Sequence, residues 1–203
     1  MFRTIIAMIA LVFSMTLEAN AVDEKYLLIE LESGTVKIEM LPDVAPKHVA
    51  QITTLAKRGD YDGVAFHRVI DGFMAQTGDV QHGKIADDGS VSSRAGTGGS
   101  DLGNIEAEFS SLPFDRGVVG MARAQAPNSA NSQFFIMFED GHFLNNNYTV
   151  WGRVVEGLEF VDNIKRGAGS SGSVTDPDKM VKVTSLRPGQ PVIATQAPTS
   201  FAR

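Results

Sequence analysis

Apolar and polar residues alternate along the chain from Tyr26 onward. Tyr26 to Glu32 (YLLIELE) and Thr35 to Met40 (TVKIEM) flank Ser33-Gly34, a two-residue connection whose glycine supplies the positive φ that a tight hairpin favours. Val36, Ile38 and Met40 alternate with Lys37 and Glu39, so one face of this strand is buried and the other wet. The period then changes. Val49, Ile52, Leu55 and Ala56 fall at helical spacing, Pro46 suits a first turn, and Gly59 follows Lys57-Arg58 as a stop, which predicts a helix over 46–58. Strand patterns recur over 65–70, 73–78, 118–123, 133–138, 149–155 and 180–186, and a second helix is predicted over 157–167, ending at Gly167. Residues 81–104 are rich in Gly and Ser and aperiodic, which reads as a long surface loop. Eight short strands with two helices predict a mainly β domain: a closed eight-stranded antiparallel barrel with its ends plugged by the helices. No repeat is visible at solenoid or propeller periods.

The two ends of the chain depart from this pattern. Met1-Phe2-Arg3 is followed by an uncharged apolar run and by Ala19-Asn20-Ala21, the layout of a signal peptide of residues 1–21, so the chain is expected to be exported and not to stay in the membrane after cleavage. Residues 187–203 hold Pro188, Pro191 and Pro198 without an amphipathic period and read as a disordered tail. The domain between them spans 22–186. With no cysteine, disulfides, thiol nucleophiles and thiolate metal sites are excluded, and about 180 residues must be held by an apolar core alone, which that length allows. A net charge of −6 without a run of Lys and Arg argues against a nucleic-acid partner. Loss of residues 1–21 removes Arg3 and Glu18 and leaves that charge unchanged.

The usual catalytic sets are missing. Gly96-Thr97-Gly98-Gly99-Ser100-Asp101 resembles a phosphate-cradling loop, but Asp101 stands where a dinucleotide fingerprint needs Gly or Ala, and no helix pattern begins there. The four histidines lack metal spacing and Gly-x-Ser-x-Gly is absent, so no metal or cofactor is expected. Asn147-Tyr148-Thr149 is a formal glycosylation sequon. Three segments remain, FHRVIDGFMAQTGD (66–79), VVGMARAQAPNSANSQFFIMF (118–138) and GHFLNNNYTVWG (141–152), each apolar with isolated polar groups. On extended strands Phe66, Arg68 and Ile70 share a face, as do Gln133, Phe135 and Met137, which suits an apolar cleft with a few placed polar groups. On pattern alone a solvent-facing Arg68 on the outside of a barrel is the commoner arrangement.

These segments, with GTGG (96–99) and FLNNNYTVWGRVVEG (143–157), occur in the order found in the cyclophilin-type peptidyl-prolyl cis-trans isomerases, and from Tyr26 to Leu186 the chain resembles that family, its exported bacterial members in particular. The resemblance implies a closed cyclophilin-like barrel and isomerase activity on X-Pro bonds. It implies proline-containing peptides and unfolded exported proteins as partners, a monomer, and a periplasmic location. It places the catalytic arginine at Arg68 with Gln76 beside it. The proline pocket falls on Phe73, Met74, Phe135 and Leu144, a polar wall on Gln76 and Gln133, a backbone segment pairing with substrate on Ala122, Arg123 and Ala124, and further substrate contacts on Phe143 and Tyr148. Phe73 and Met74 cannot share a face under strict alternation, so a twist or bulge is expected there. Phe143, Tyr148 and Arg123 stand where many eukaryotic members have Trp, His and Asn, and the loop Gln125 to Asn131 is one residue longer. Weak binding of the cyclic peptide cyclosporin is therefore expected.

The chemistry agrees with the missing cofactors. Rotation about X-Pro crosses a barrier of about 18–20 kcal/mol and takes tens to hundreds of seconds unaided. No bond breaks, so neither nucleophile nor metal is required. In the twisted amide the proline nitrogen regains a lone pair, which a guanidinium can meet with a hydrogen bond. A non-catalytic module that grips proline segments is the alternative reading, although such a binder has no need of Arg68.

Overall fold

The computed structural model describes residues 24–190. The proposed signal peptide and all but the first residues of the proposed tail lie outside them. The strands are β1 (Tyr26–Leu31), β2 (Gly34–Met40), β3 (Arg68–Ile70), β4 (Met74–Thr77), β5 (Val118–Met121), β6 (Phe134–Met137), β7 (Val150–Glu156) and β8 (Lys182–Leu186). Among the described residues two helices, α1 (Pro46–Arg58) and α2 (Leu158–Asp162), and a 3-10 turn over His142–Leu144 complete the elements. Among the described residues no helix is long and apolar enough to cross a membrane.

Every strand pairs antiparallel with its neighbours, in the order β3-β4-β6-β5-β7-β2-β1-β8. The sheet curls but does not close, which corrects the expected closed barrel. The outer edge of β3 is already occupied, because Val69 donates to the Gly172 carbonyl (2.7 Å) and the Gly167 amide donates to Val69 (2.9 Å). The β8 side meets the segment ahead of β3 only through short contacts, such as Phe66 N–H to the Asp178 carbonyl and Met180 N–H to that of Val64. No ladder joins the two edges, so the seam is filled by loops.

Local chemistry accounts for α1. Its buried face carries His48, Val49, Ile52, Thr53, Leu55 and Ala56, and Gly59 ends it at φ 72°. The first turn has no cap from its own segment. Instead the carboxylate of Glu108 accepts from the amides of Lys47 (3.0 Å) and His48 (3.1 Å). The second helix is shorter than its sequence predicts. The Arg166 guanidinium takes the carbonyls of Asp162 and Ile164, Lys165 N–H turns to Asp178, and Gly167 is drawn to the edge of β3. For Lys165 and Gly167, and for the Arg166 Nε that donates to Asp71, partners elsewhere in the molecule outcompete the helical pattern after Asp162.

Strand β6 divides the interior. All four of its residues are buried, and alternation sends Phe134 and Ile136 into the main core while Phe135 and Met137 join a second apolar cluster with Met74, Phe114, Leu144 and Val150. In the main core Phe134 meets Trp151 and Tyr61 edge to face, with ring centroids 5.4 and 5.7 Å apart. The second cluster is the floor of a cavity at the surface.

Candidate active site

Cross-strand register assembles the site. Arg68 lies opposite Gln76, Gln76 opposite Phe135, and Phe135 opposite Gly120, so one row across β3, β4, β6 and β5 carries an arginine, a glutamine, an aromatic ring and a gap. The gap is required. A Cβ on Gly120 would lie 2.5 Å from both Phe114 and Phe135, whose rings stack at 5.8 Å. The neighbouring row adds Met74, paired with Met137.

Phe73 reaches the site differently from the expectation. The pairing of Ile70 with Met74 is regular, and Phe73 sits in the turn before β4, its amide donating to Ile70 and its carbonyl accepting from Phe138. A turn residue is free of strand alternation, so no bulge is needed to bring Phe73 beside Met74. The ring of Phe73 lies 5.4 Å from that of Phe143, which is 72% exposed and stands as a rim. Tyr148 closes another wall, edge-on to Phe135 at 5.9 Å.

These side chains enclose a cavity of about 300 Å³ lined by Arg68, Phe73, Met74, Gln76, Ala122, Arg123, Phe135, Phe143, Leu144 and Tyr148. The other two expected site residues, Ala124 and Gln133, line an adjoining cavity of about 510 Å³ that shares Gln76, Ala122 and Arg123 with the first. Sequence reasoning missed the rest of that second cavity: Gln81, Gly96 to Ser100, Asn104, Ser129, Asn131 and Ser132. Its signal was the Gly96-Thr97-Gly98-Gly99 string inside what reads as a surface loop.

A chain of hydrogen bonds holds the polar groups. Arg68 donates through Nε to the Ser171 carbonyl (3.0 Å) and through Nη1 to Gln76 Oε1 (3.2 Å). Gln76 Nε2 donates to Gln133 Oε1 (3.0 Å), and Gln133 Nε2 donates to the carbonyls of Gly96 (3.0 Å) and Gly98 (2.8 Å). Behind that loop the fully buried Asp79 accepts four backbone N–H groups, from Gly96 (2.7 Å), Gly98 (2.9 Å), Gln81 (3.1 Å) and His82 (2.8 Å). The glycine-rich loop therefore does cradle an anion, but it is the protein's own carboxylate. Gly96 has φ 93°, and a Cβ on Gly98 would lie 2.5 Å from Asp79 Oδ1, so both glycines are needed for the amides to converge.

Backbone and charge complete the picture. The Ala122 amide still bonds the Gln133 carbonyl, but the ladder between β5 and β6 ends at Met121, and residues 122–124 continue beyond it outside any strand. His67 is buried against Gly96, on the other side of the strand from Arg68; burial pushes its pKa below the usual histidine value, while Asp79 pulls it back up. Asp115, Asp140 and His142 bring ligand atoms within 4.8 Å of one another, all exposed. His142 Nε2 lies 2.7 Å from Asp115, whose hydrogen bond raises the histidine pKa.

Residues 26–187 match the family model described as "Cyclophilin type peptidyl-prolyl cis-trans isomerase/CLD". The chain belongs to this cyclophilin family. A probable peptidyl-prolyl cis-trans isomerase of Brucella suis is 56% identical over 180 residues, covering 88% of this chain and 91% of the relative. Peptidyl-prolyl cis-trans isomerase B of Bacillus subtilis is 38% identical over 144 residues, 70% of this chain and 90% of the relative. Among solved structures, a cyclophilin from Hirschia baltica superposes with a TM-score of 0.68 at 28% identity, covering 82% of this chain and 76% of the other. A Cryptosporidium parvum cyclophilin crystallised in the presence of the dipeptide Ala-Pro gives 0.66 at 27% identity, covering 79% of this chain and 98% of the other. The cyclophilin fold thus has the same mainly β character here, as an eight-stranded curled sheet with two helices.

Proposed function

We propose that Arg68 is the catalytic group of this cyclophilin, that the 300 Å³ cavity seats the proline ring, and that the substrates are exported chains during folding. The family match and the 56% identical relative make the chain a cyclophilin-type peptidyl-prolyl cis-trans isomerase. The observation that carries the assignment of Arg68 is its setting. Two of its donors are anchored on Ser171 and Gln76, which aims the guanidinium, and it borders an apolar floor of Met74 and Phe135. Phe73, Met74, Phe135 and Leu144 hold the ring still while the preceding carbonyl turns, and the segment Ala122 to Ala124 after β5 pairs with the substrate backbone. As the amide twists, its nitrogen loses conjugation and accepts from Arg68. A hydrogen bond to a charged group contributes about 1.5–3 kcal/mol, and since the planar amide offers no such lone pair the gain falls on the transition state.

A protease-coupled assay on an Ala-Pro peptide tests this. Arg68→Ala should lower kcat by roughly ten- to a hundredfold with KM nearly unchanged, and Arg68→Lys should recover only part, because an ammonium lacks the planar fork. A loss confined to KM would assign Arg68 to binding. Export is supported by the composition of residues 1–21; amino-terminal sequencing of the protein recovered outside the cytoplasm should begin near Val22. Weak cyclosporin binding follows from Phe143 at the rim, and Phe143→Trp should tighten it severalfold by calorimetry; an unchanged affinity would remove Phe143 from the explanation.

A further inference from the structure

We infer that Arg123 makes this isomerase prefer proline segments that carry an acidic side chain next to the proline; the inference rests on the reading of the 300 Å³ cavity as the proline seat. Arg123 lines both cavities, so its side chain borders the path of any peptide that fills the first and extends toward the second. Its guanidinium is fixed there. Cζ lies 4.5 Å from the centroid of the Tyr148 ring, Nε and Nη2 donate to the Asn147 carbonyl (3.3 and 2.9 Å), and Nη1 donates to the carbonyls of Ala124 and Gln125 (both 3.0 Å). Those four bonds use four of the five guanidinium N–H groups and leave one on Nη2.

All three acceptors, the Asn147, Ala124 and Gln125 carbonyls, are neutral, so none of these bonds cancels the positive charge. Neither cavity lining contains an Asp or Glu, and the only charged residues in the two linings are Arg68 and Arg123. Behind the second cavity's wall the carboxylate of Asp79 is buried and saturated by four amides. In a chain of net charge −6, the groove is thus a local positive site with a spare, pre-oriented donor. A carboxylate on a neighbouring substrate residue fits that donor with a charge-assisted hydrogen bond, whereas a lysine there meets two like charges.

The test is a peptide series around one Ala-Pro unit, with Glu, Gln or Lys placed in turn at each of the two positions on either side. Wild-type kcat/KM should rank Glu above Gln above Lys at one or more positions, by about two- to fivefold per step, the range of a partly exposed ion pair. Arg123→Gln should bring the Glu-to-Gln ratio toward one, and Arg123→Lys should keep part of it, which covers the case in which the glutamine variant folds poorly. Equal rates for Glu, Gln and Lys at all positions in the wild type would overturn the inference. Binding of the same peptides, followed by fluorescence anisotropy, separates it from the parent reading: an acid preference in binding that Arg123→Gln abolishes, without any turnover, would sink the isomerase mechanism and keep this proposal.

Discussion

Replacing Asp79 by alanine should leave the amides of Gln81, His82, Gly96 and Gly98 without their acceptor. Buried donors left unmet cost roughly 1–3 kcal/mol each, less whatever entering water recovers, so a loss of about 3 kcal/mol or more in urea unfolding is expected. The same change frees the 96–98 backbone whose carbonyls hold Gln133, and through Gln133 and Gln76 it loosens Arg68. Turnover should fall by roughly tenfold or more even below the unfolding transition, as misplacement of a catalytic group predicts. Asp79→Asn, which keeps one acceptor oxygen, should be intermediate in both. Unchanged activity in a folded Asp79→Ala protein would break the link between loop and arginine. No local pattern marks this role for Asp79. A lone aspartate after a strand reads as a turn residue bonding the nearby Gln81 and His82 amides, and its other two partners, Gly96 and Gly98, lie 17 and 19 residues further along the same loop, where only the fold brings them back.

At the level of elements, α1 depends on a residue 60 positions away, because Glu108 caps its first turn and also holds the buried His48 ring at 2.6 Å. Glu108→Ala should cost about 1–2 kcal/mol for the cap alone, read from the urea midpoint, and an effect below a few tenths would refute the cap. The hairpin of β1 and β2 and the limits of α1 were legible because alternation, Pro46 and Gly59 are local signals, although the turn falls on Glu32-Ser33, with Gly34 already paired to Leu31, and not on the expected Ser33-Gly34. The long match of motifs likewise pointed to the site residues that the register of β3, β4 and β6 draws together. What local signals missed has a common cause. The second helix stops at Asp162 because Arg166, Lys165 and Gly167 find partners outside it, on Asp71, Asp178 and Val69. Phe73 needs no bulge because it belongs to a turn. The sheet stays open because loops take the edge of β3 before another strand can. Each outcome is a competition between distant groups, which spacing along the chain does not record.

For the whole molecule, two buried histidines set the response to acid. Burial lowers the pKa of His48 and of His67 from the usual 6.5, against the opposing pull of Glu108 and Asp79 respectively. The unfolded chain regains the usual value, so below about 6.5 it binds protons that the folded protein refuses. Their stabilisation is present above that pH and is lost as pH falls toward the folded values, by at most about 1.4 kcal/mol per pH unit for each histidine. His142 acts in the opposite sense. Its hydrogen bond to Asp115 raises its pKa, so its contribution is full below the unfolded value and fades as pH rises through the folded one, but the pair is exposed and well screened. Urea unfolding should therefore show lower stability at pH 5.5 than at 7.5, and replacing His48 and His67 by glutamine should flatten that slope. A slope of the opposite sign would contradict the assignment.

The most direct measurement is exchange NMR on a saturating Ala-Pro peptide, which gives the interconversion rate of the bound peptide and its affinity in one sample, for the wild type and for Arg68→Ala. The account predicts a rate that falls by at least tenfold in the variant while the Kd changes by less than about threefold. Rate and affinity falling together, or a rate that survives the loss of the guanidinium, would contradict the placement of Arg68 at the twisting bond.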